Sequence, residues 1–484
     1  MGGMAAAIRL AVQGFDVTVF ERNDKPGGKL GWFSKDGFSF DTGPSLFTQP
    51  ENLEALFALA GEPIADYFTY KKMPVSCHYF FENGRQMIAS ADKQTLAASF
   101  ENDLNEKASA INSYLRDSEL LYHNIGDFFI SHSLHKAKTY FSKGIWTALK
   151  AARLRYTAKS LHQYNSSRFQ SKEAVQLFNR YATYNGSNPY KAPAMLSLIP
   201  HLEMNQGTFY PDGGMIAIVD ALYKLALKKG IVFNFNMNVS AIIRNNTAAT
   251  GIIAGEKKVL ADIIVSNVDV YFTYKNLLQH PQKAAKVLKQ ERSSSALIFY
   301  WGIDRQFDTL GLHNIFFSDN YQKEFDSIFN TKTVFEDPTV YINITSKQES
   351  KHAPSGCENW FVMVNVPANS GQDWVAIKQT VRRSVIAKLS RMLKTDLEPL
   401  IRTEACLDPV TIETNTASYM GSLYGTSSNS PLAAFFRHPN FSKAIKNLYF
   451  VGGSVHPGGG IPLCLKSAAI VADLVQDDFK QKWR

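Results

Sequence analysis

Cysteine is scarce in this 484-residue chain: Cys77, Cys357, Cys406 and Cys464 lie far apart and form no C-x-x-C pair. That spacing argues against a disulfide framework and a cysteine-built zinc site, leaves no metal expected, and suits a reducing cytoplasm. No run of roughly 18 uncharged apolar residues occurs, so no membrane-spanning helix is expected. The N-terminus lacks the basic lead and apolar core of a signal peptide. Negative charge is missing from one long stretch. Between Phe128 and Lys172 there is no Asp or Glu, whereas Lys136, Lys138, Lys143, Lys150, Arg153, Arg155, Lys159, Arg168 and Lys172 supply nine cations, equal to the +9 of the whole chain.

What is present describes a folded protein. Hydrophobic residues make up 45% and charged ones 20%, and the length allows two or three domains. The 33 Phe and 21 Tyr are compatible with a large apolar pocket.

The chain opens inside a nucleotide-binding pattern. Gly2-Gly3 leads into a run in which Met4, Ala7, Ile8 and Ala11 recur at helical period, and Gly14 sits where a C′ glycine would end the helix. Asp16 to Phe20 reads as a short buried strand with Glu21 at its end. This is the second half of a dinucleotide-binding βαβ unit, in which the helix start faces a pyrophosphate and the acid accepts from a ribose hydroxyl. The first strand and the first two glycines of G-x-G-x-x-G do not precede it. By themselves these residues suit an ordinary α/β core equally well. Pro26-Gly27-Gly28-Lys29 and Asp41-Thr42-Gly43-Pro44-Ser45 follow. They are either tight surface turns or turns that bring backbone N–H groups to phosphate or flavin oxygens.

Helical pattern covers Asn52 to Ala60, and strands are expected around Val75 to Ile88 with a hairpin turn at Glu82-Asn83-Gly84-Arg85. From Asp103 to Lys172 the pattern is mostly helical, with a stripe of Ile145, Leu149, Ala152 and Tyr156. The cations of that basic region form a solvated face, or an anionic-membrane contact; no nucleic-acid motif accompanies them. Val239 to Ile243 and Ala261 to Val265 read as strands, while from Tyr271 to Pro409 strand-like runs (Ala296 to Trp301, Trp360 to Val366) alternate with a helix over Val381 to Met392, and no residue there is assigned chemistry. Near the end, Leu448 to Val451 is a buried strand, followed by Gly452-Gly453, then His456-Pro457-Gly458-Gly459-Gly460-Ile461-Pro462 and a helix from Leu463 to Val475. Pro462 suits a first helical turn.

Taken together, helix–strand–Glu21, PGGK at Pro26 to Lys29, FDTGPS at Phe40 to Ser45, the Arg180 to Pro189 segment, and the C-terminal pattern LYxVGxxxHPGxGIPxxxxSA resemble the bacterial carotenoid (phytoene-type) desaturase family. Gly421 to Asn429 and Arg437-His438-Pro439 resemble its hydroxycarotenoid 3,4-desaturase branch. The resemblance spans nearly the full chain. It implies an α/β, amine-oxidase-like flavoprotein: a discontinuous Rossmann-like FAD-binding domain (1–75, 210–275 and 440–484), a mixed-sheet substrate domain (76–102 and 276–439), and a helical, basic, membrane-facing region (103–209).

It further implies FAD held by Gly2, Gly3, Glu21, Arg22, Gly27, Gly28, Lys29, Gly43, Pro44, Ser45, Val239, Gly452, Gly453, Gly460, Ile461 and Pro462. By residue type alone Val239 is a core valine. The last helix start would face the flavin pyrimidine edge. Tyr184, Asn185, Tyr210 and His456 would border a substrate tunnel, and Glu203 and Glu413 are candidate proton acceptors only because they flank those segments; by residue type each reads as a solvated surface acid. The implied activity is 3,4-desaturation of a hydroxylated carotenoid (a 1-hydroxy gamma-carotene-type substrate), with a quinone or oxygen as electron acceptor. The cytoplasmic chain would sit peripherally on the inner face of the cell membrane. Phytoene-type desaturation, carotenoid isomerisation and non-catalytic, membrane-associated carotenoid binding stay open.

Overall fold

The computed structural model describes residues 1–136, 139, 156, 158–430, 433 and 437–480. Its first helix, Gly2–Val12, is buried on nearly every side, with Ala5 and Ile8 fully enclosed and Ala11 half-buried. Small side chains suit this position, because the helix is wedged against the helices Ile216–Lys228 and Ile461–Lys480. Gly14, at φ +91°, turns the chain into the strand Thr18–Phe20.

That strand pairs in parallel with Val232–Asn234, and the Glu21 N–H continues the ladder to the Asn234 carbonyl at 2.9 Å. A second parallel pair joins Ile264–Ser266 to Leu448–Phe450. The Rossmann-like part is therefore two separate two-stranded pairs, and among the described residues no strand bridges them. Val17 to Phe20 and Ile263 to Ser266 line one continuous cavity between the pairs.

The larger sheet has seven strands. Their order is Ile401–Leu407, Ser295–Ile303, Glu358–Val366, Val340–Asn343, His313–Phe316, Val75–Phe80 and Gln86–Ser90, antiparallel throughout except where His313–Phe316 meets Val75–Phe80. All nine residues of Ser295–Ile303 are buried, because both faces of the sheet are covered. Leu297, Phe299, Trp301, Trp360, Val362 and Val364 pack beneath the helix Trp374–Leu393 through Val381, Val385 and Leu389. The alternate residues Ile298, Tyr300, His313, Ile315, Tyr341, Phe361 and Met363 line the cavity, as the two-residue period of a strand requires.

A helical region closes the far side with Phe100, Tyr114, Phe178 and Tyr181 at its centre. Of the basic stretch, Lys138, Lys143, Lys150, Arg153 and Arg155, with Ile145, Leu149 and Ala152 of the apolar stripe, lie outside the described residues; Tyr156 is buried in the helical core. Among the described residues no helix is long and apolar enough to cross a membrane.

Candidate active site

One cavity of about 1590 Å³ runs from the parallel pairs to the seven-stranded sheet. Gly2, Gly3, Glu21, Arg22, Gly27, Gly28, Lys29, Gly43, Pro44, Ser45, Val239, Gly452, Gly453, Gly460, Ile461 and Pro462, distant in sequence, all line it. Several of these glycines let backbone segments touch. A Cβ on Gly43 would stand 2.0 Å from the Lys29 carbonyl oxygen, and one on Gly2 3.1 Å from Gly452 Cα. Gly28 (φ +64°) and Gly460 (φ +104°) differ, since a Cβ on either would project into open space.

Polar groups on this side are held by hydrogen bonds within and between these segments. Glu21 Oε1 accepts the Asn23 N–H at 2.9 Å, and Arg22 donates to the Thr414 carbonyl. Lys29 Nζ donates to the carbonyls of Leu423 (2.7 Å) and Ser422 (3.3 Å), and burial pushes its ammonium down to about 8. Asn440 Nδ2 ties the glycine loops together, donating to the His456 carbonyl at 2.7 Å and to Ser467 Oγ at 3.0 Å; Ser467 Oγ in turn accepts the Gly452 N–H at 3.1 Å. His456 lines the cavity as a neutral ring, held down to about 4 by burial, and its Nε2 donates to the His132 carbonyl at 2.9 Å.

Arg437 is 2% exposed and lines the same end. Its Nη1 donates to the Tyr424 carbonyl at 2.7 Å, while its Nη2 has no acceptor among the described residues. Burial and the nearby Arg292 lower it to about 10. A buried guanidinium with a free N–H requires an acceptor, best an anionic one. The pyrophosphate and pyrimidine edge of FAD are such groups, and Gly28 and Gly460 leave room beside the chain. The residues present fit this cofactor.

The sheet side holds a second polar cluster. Arg180 Nη2 donates to Glu203 Oε1 and Oε2 at 2.8 and 3.1 Å and to Tyr79 Oη at 2.8 Å; Tyr184 Oη also donates to Glu203. Arg180, Tyr184, Asn185 and Glu203 line the cavity. Glu203 is thus a compensated buried carboxylate with its oxygens occupied. Two expected positions fall elsewhere. Tyr210 is buried against Met73 and Leu312, because its strand Phe209–Pro211 turns it away from the cavity. Glu413 does not line the cavity; Thr411, Ile412 and Asn415 of the same helix, Pro409–Thr416, do. Away from the cavity, Glu119, His123 and His201 bring one ligand atom each within 4.8 Å of one another, a histidine–carboxylate grouping that a cysteine count cannot foresee.

Residues 1–476 match the family described as flavin containing amine oxidoreductase. The chain belongs to this family. The oxidoreductase is 49% identical over 475 residues to the 1-hydroxycarotenoid 3,4-desaturase of Flavobacterium sp. (strain P99-3), covering 98% of this chain and 97% of that one. It is 34% identical to the 4,4'-diapolycopene oxygenase of Methylomonas sp, over 99% and 97% of the two chains. Among solved structures it shares its fold with an oxidoreductase from Methanosarcina mazei (TM-score 0.62, 16% identity, 99% and 98% covered) and with putrescine oxidase (TM-score 0.61, 14%, 99% and 97%). It is an FAD oxidoreductase of the carotenoid-desaturase type, with an amine-oxidase-like fold.

Proposed function

We propose that this oxidoreductase desaturates the 3,4 bond of a carotenoid end bearing a hydroxyl at C1. The observation that carries the reading is the 49% identity, over nearly the full length of both chains, to a 1-hydroxycarotenoid 3,4-desaturase. Two hydrogens leave adjacent carbons: when bound, FAD would supply the acceptor for a hydride, and the second hydrogen would leave as a proton taken up by water.

The chain's own part is to bind, orient and dry the polyene. Ile298, Tyr300, Ile315, Phe361 and Met363 offer a largely apolar sheet face on the cavity wall. Burial of hydrocarbon there contributes about 25 cal/mol per Å² and excludes water from a cationic carbon. Glu203 does not need to act as base, since its lone pairs are held by Arg180, Tyr79 and Tyr184. We further propose that a quinone or oxygen reoxidises the cofactor, and that the cytoplasmic enzyme meets its lipid-soluble substrate at the inner membrane surface. The acid-free stretch from Phe128 to Lys172 supports that placement.

The test is direct. FAD-loaded enzyme in detergent, given a 1-hydroxylated carotenoid and a quinone, should yield a product lacking two hydrogens, with a red-shifted spectrum. An unchanged pigment overturns the reading, and turnover of phytoene in its place moves the assignment to phytoene-type desaturation.

A further inference from the structure

His313 stands at the start of a cavity-facing strand and is 3% exposed. Its Nδ1 lies 3.2 Å from Asn343 Nδ2, which can only donate, and 2.8 Å from Tyr341 Oη. Nδ1 is therefore the acceptor nitrogen, and a neutral ring so arranged carries its one hydrogen on Nε2. Desolvation keeps the ring neutral, its pKa pushed down to about 4. Nε2 is buried and has no acceptor among the described residues. Leaving a buried donor unmade costs on the order of 1–3 kcal/mol, so an orphaned N–H on a side chain that lines the cavity is an address for an oxygen.

The surroundings define that oxygen. Arg180 and Glu203 nearby already neutralise each other, so no net charge calls for an anion. Ile315, Tyr341 and Phe361 beside His313 suit hydrocarbon. A relay then ties the donor to the cofactor side: Tyr341 Oη lies 2.8 Å from Ser45 Oγ as well as 2.8 Å from His313 Nδ1. The polar subsite and the Gly43 to Ser45 loop thus keep a fixed spacing. In a 1-hydroxylated end only C2 separates the hydroxyl-bearing carbon from the 3,4 bond, so fixing that oxygen fixes which bond meets the cofactor.

We propose that His313 Nε2–H donates to the end-group hydroxyl of the substrate, forming a subsite that selects hydroxylated ends over plain hydrocarbon ends and sets the register of desaturation. This rests on the reading given under Proposed function.

Two substitutions separate the ring nitrogens. His313→Asn keeps a polar atom near the Nδ1 position and removes the Nε2 donor, whereas His313→Gln places an amide N–H near Nε2. Each FAD-loaded, full-length variant is compared with wild type on a 1-hydroxylated carotenoid and on its non-hydroxylated counterpart. Pigment affinity is read from quenching of flavin fluorescence, and kcat/KM from product. Wild type should favour the hydroxylated pigment by about 10-fold in affinity, as one hydrogen bond allows. His313→Asn should abolish that preference and His313→Gln should keep most of it, with melting temperature and flavin content controlling for fold. No preference in wild type, or an unchanged preference in His313→Asn, overturns the proposal. If wild type binds the hydroxylated pigment selectively but converts neither compound, the proposed activity fails while the binding comparison still judges the subsite.

Discussion

Arg180 and Glu203 form a buried ion pair at 2.8 Å on the wall of the cavity, with side chains 10% and 3% exposed. Tyr79 and Tyr184 add hydrogen bonds to it, while Arg180 Nε finds no partner among the described residues, so the carboxylate is compensated and is not a free base. Glu203→Gln should strand the Arg180 charge and lower stability by about 3–5 kcal/mol, whereas Arg180→Met combined with Glu203→Leu should recover much of the loss. Chemical denaturation of wild type, Glu203→Gln and the Arg180→Met/Glu203→Leu double variant measures this. A single variant as stable as wild type would show that the pair is not compensating itself.

Glu324 gives the chain a pH signature outside the cavity. It is 1% exposed, accepts from the Thr339 N–H at 3.0 Å and the Thr339 hydroxyl at 2.7 Å, and burial raises it to about 7 from 4.5. Between those values the folded chain holds a proton that the unfolded chain has released. Stability from this group therefore falls as pH rises from 4.5 to 7, by at most about 3 kcal/mol. Denaturation across that window should show wild type declining relative to Glu324→Gln; parallel curves would contradict it.

Arg437 should matter for cofactor retention. Replacing it by Met removes the free Nη2 donor, and FAD affinity should fall roughly 10- to 100-fold, the worth of one hydrogen bond to a charged group. Flavin absorbance per protein after dialysis reads this directly. Full retention would place the guanidinium away from the cofactor.

Gly43 should tolerate no side chain. A Cβ would stand 2.0 Å from the Lys29 carbonyl oxygen, a backbone atom that cannot rotate away. Gly43→Ala should cost about 1–3 kcal/mol or more and loosen FAD binding through the displaced Lys29 turn. A melting temperature equal to wild type would show that the two loops are not locked together.

The basic stretch predicts salt-sensitive membrane contact. The full chain should pellet with vesicles rich in an anionic phospholipid and not with neutral ones, and about 0.5 M salt should release it, since the Debye length is then only a few ångströms. Equal pelleting with both lipids would remove the electrostatic part of the proposal.

Local patterns carried much of this architecture. The buried helix at Gly2–Val12, the hairpin through Gly84, and the strand–glycine–helix run at Leu448 to Lys480 are short-range consequences of period, turn chemistry and capping. Motif residues therefore fell together around one cavity. Tyr210 and Glu413 did not, because motif proximity does not say which way a side chain points. Arg180 and Arg437 stood inside quoted motifs, yet the ion pair of Arg180 with Glu203 and the bond of Arg437 to the Tyr424 carbonyl exist only once the chain is folded.

His313 marks the boundary. Nothing adjacent to it in sequence distinguishes it from any strand histidine; its role comes from Asn343, Tyr341 and Ser45, brought from positions 30, 28 and 268 residues away. Sequence by itself determined the family, the cofactor class and the strand period that turns alternate residues to one face. Only tertiary structure decided which buried polar atoms are paired and which are left over, because pairing is a property of distance between distant segments and no local pattern encodes it.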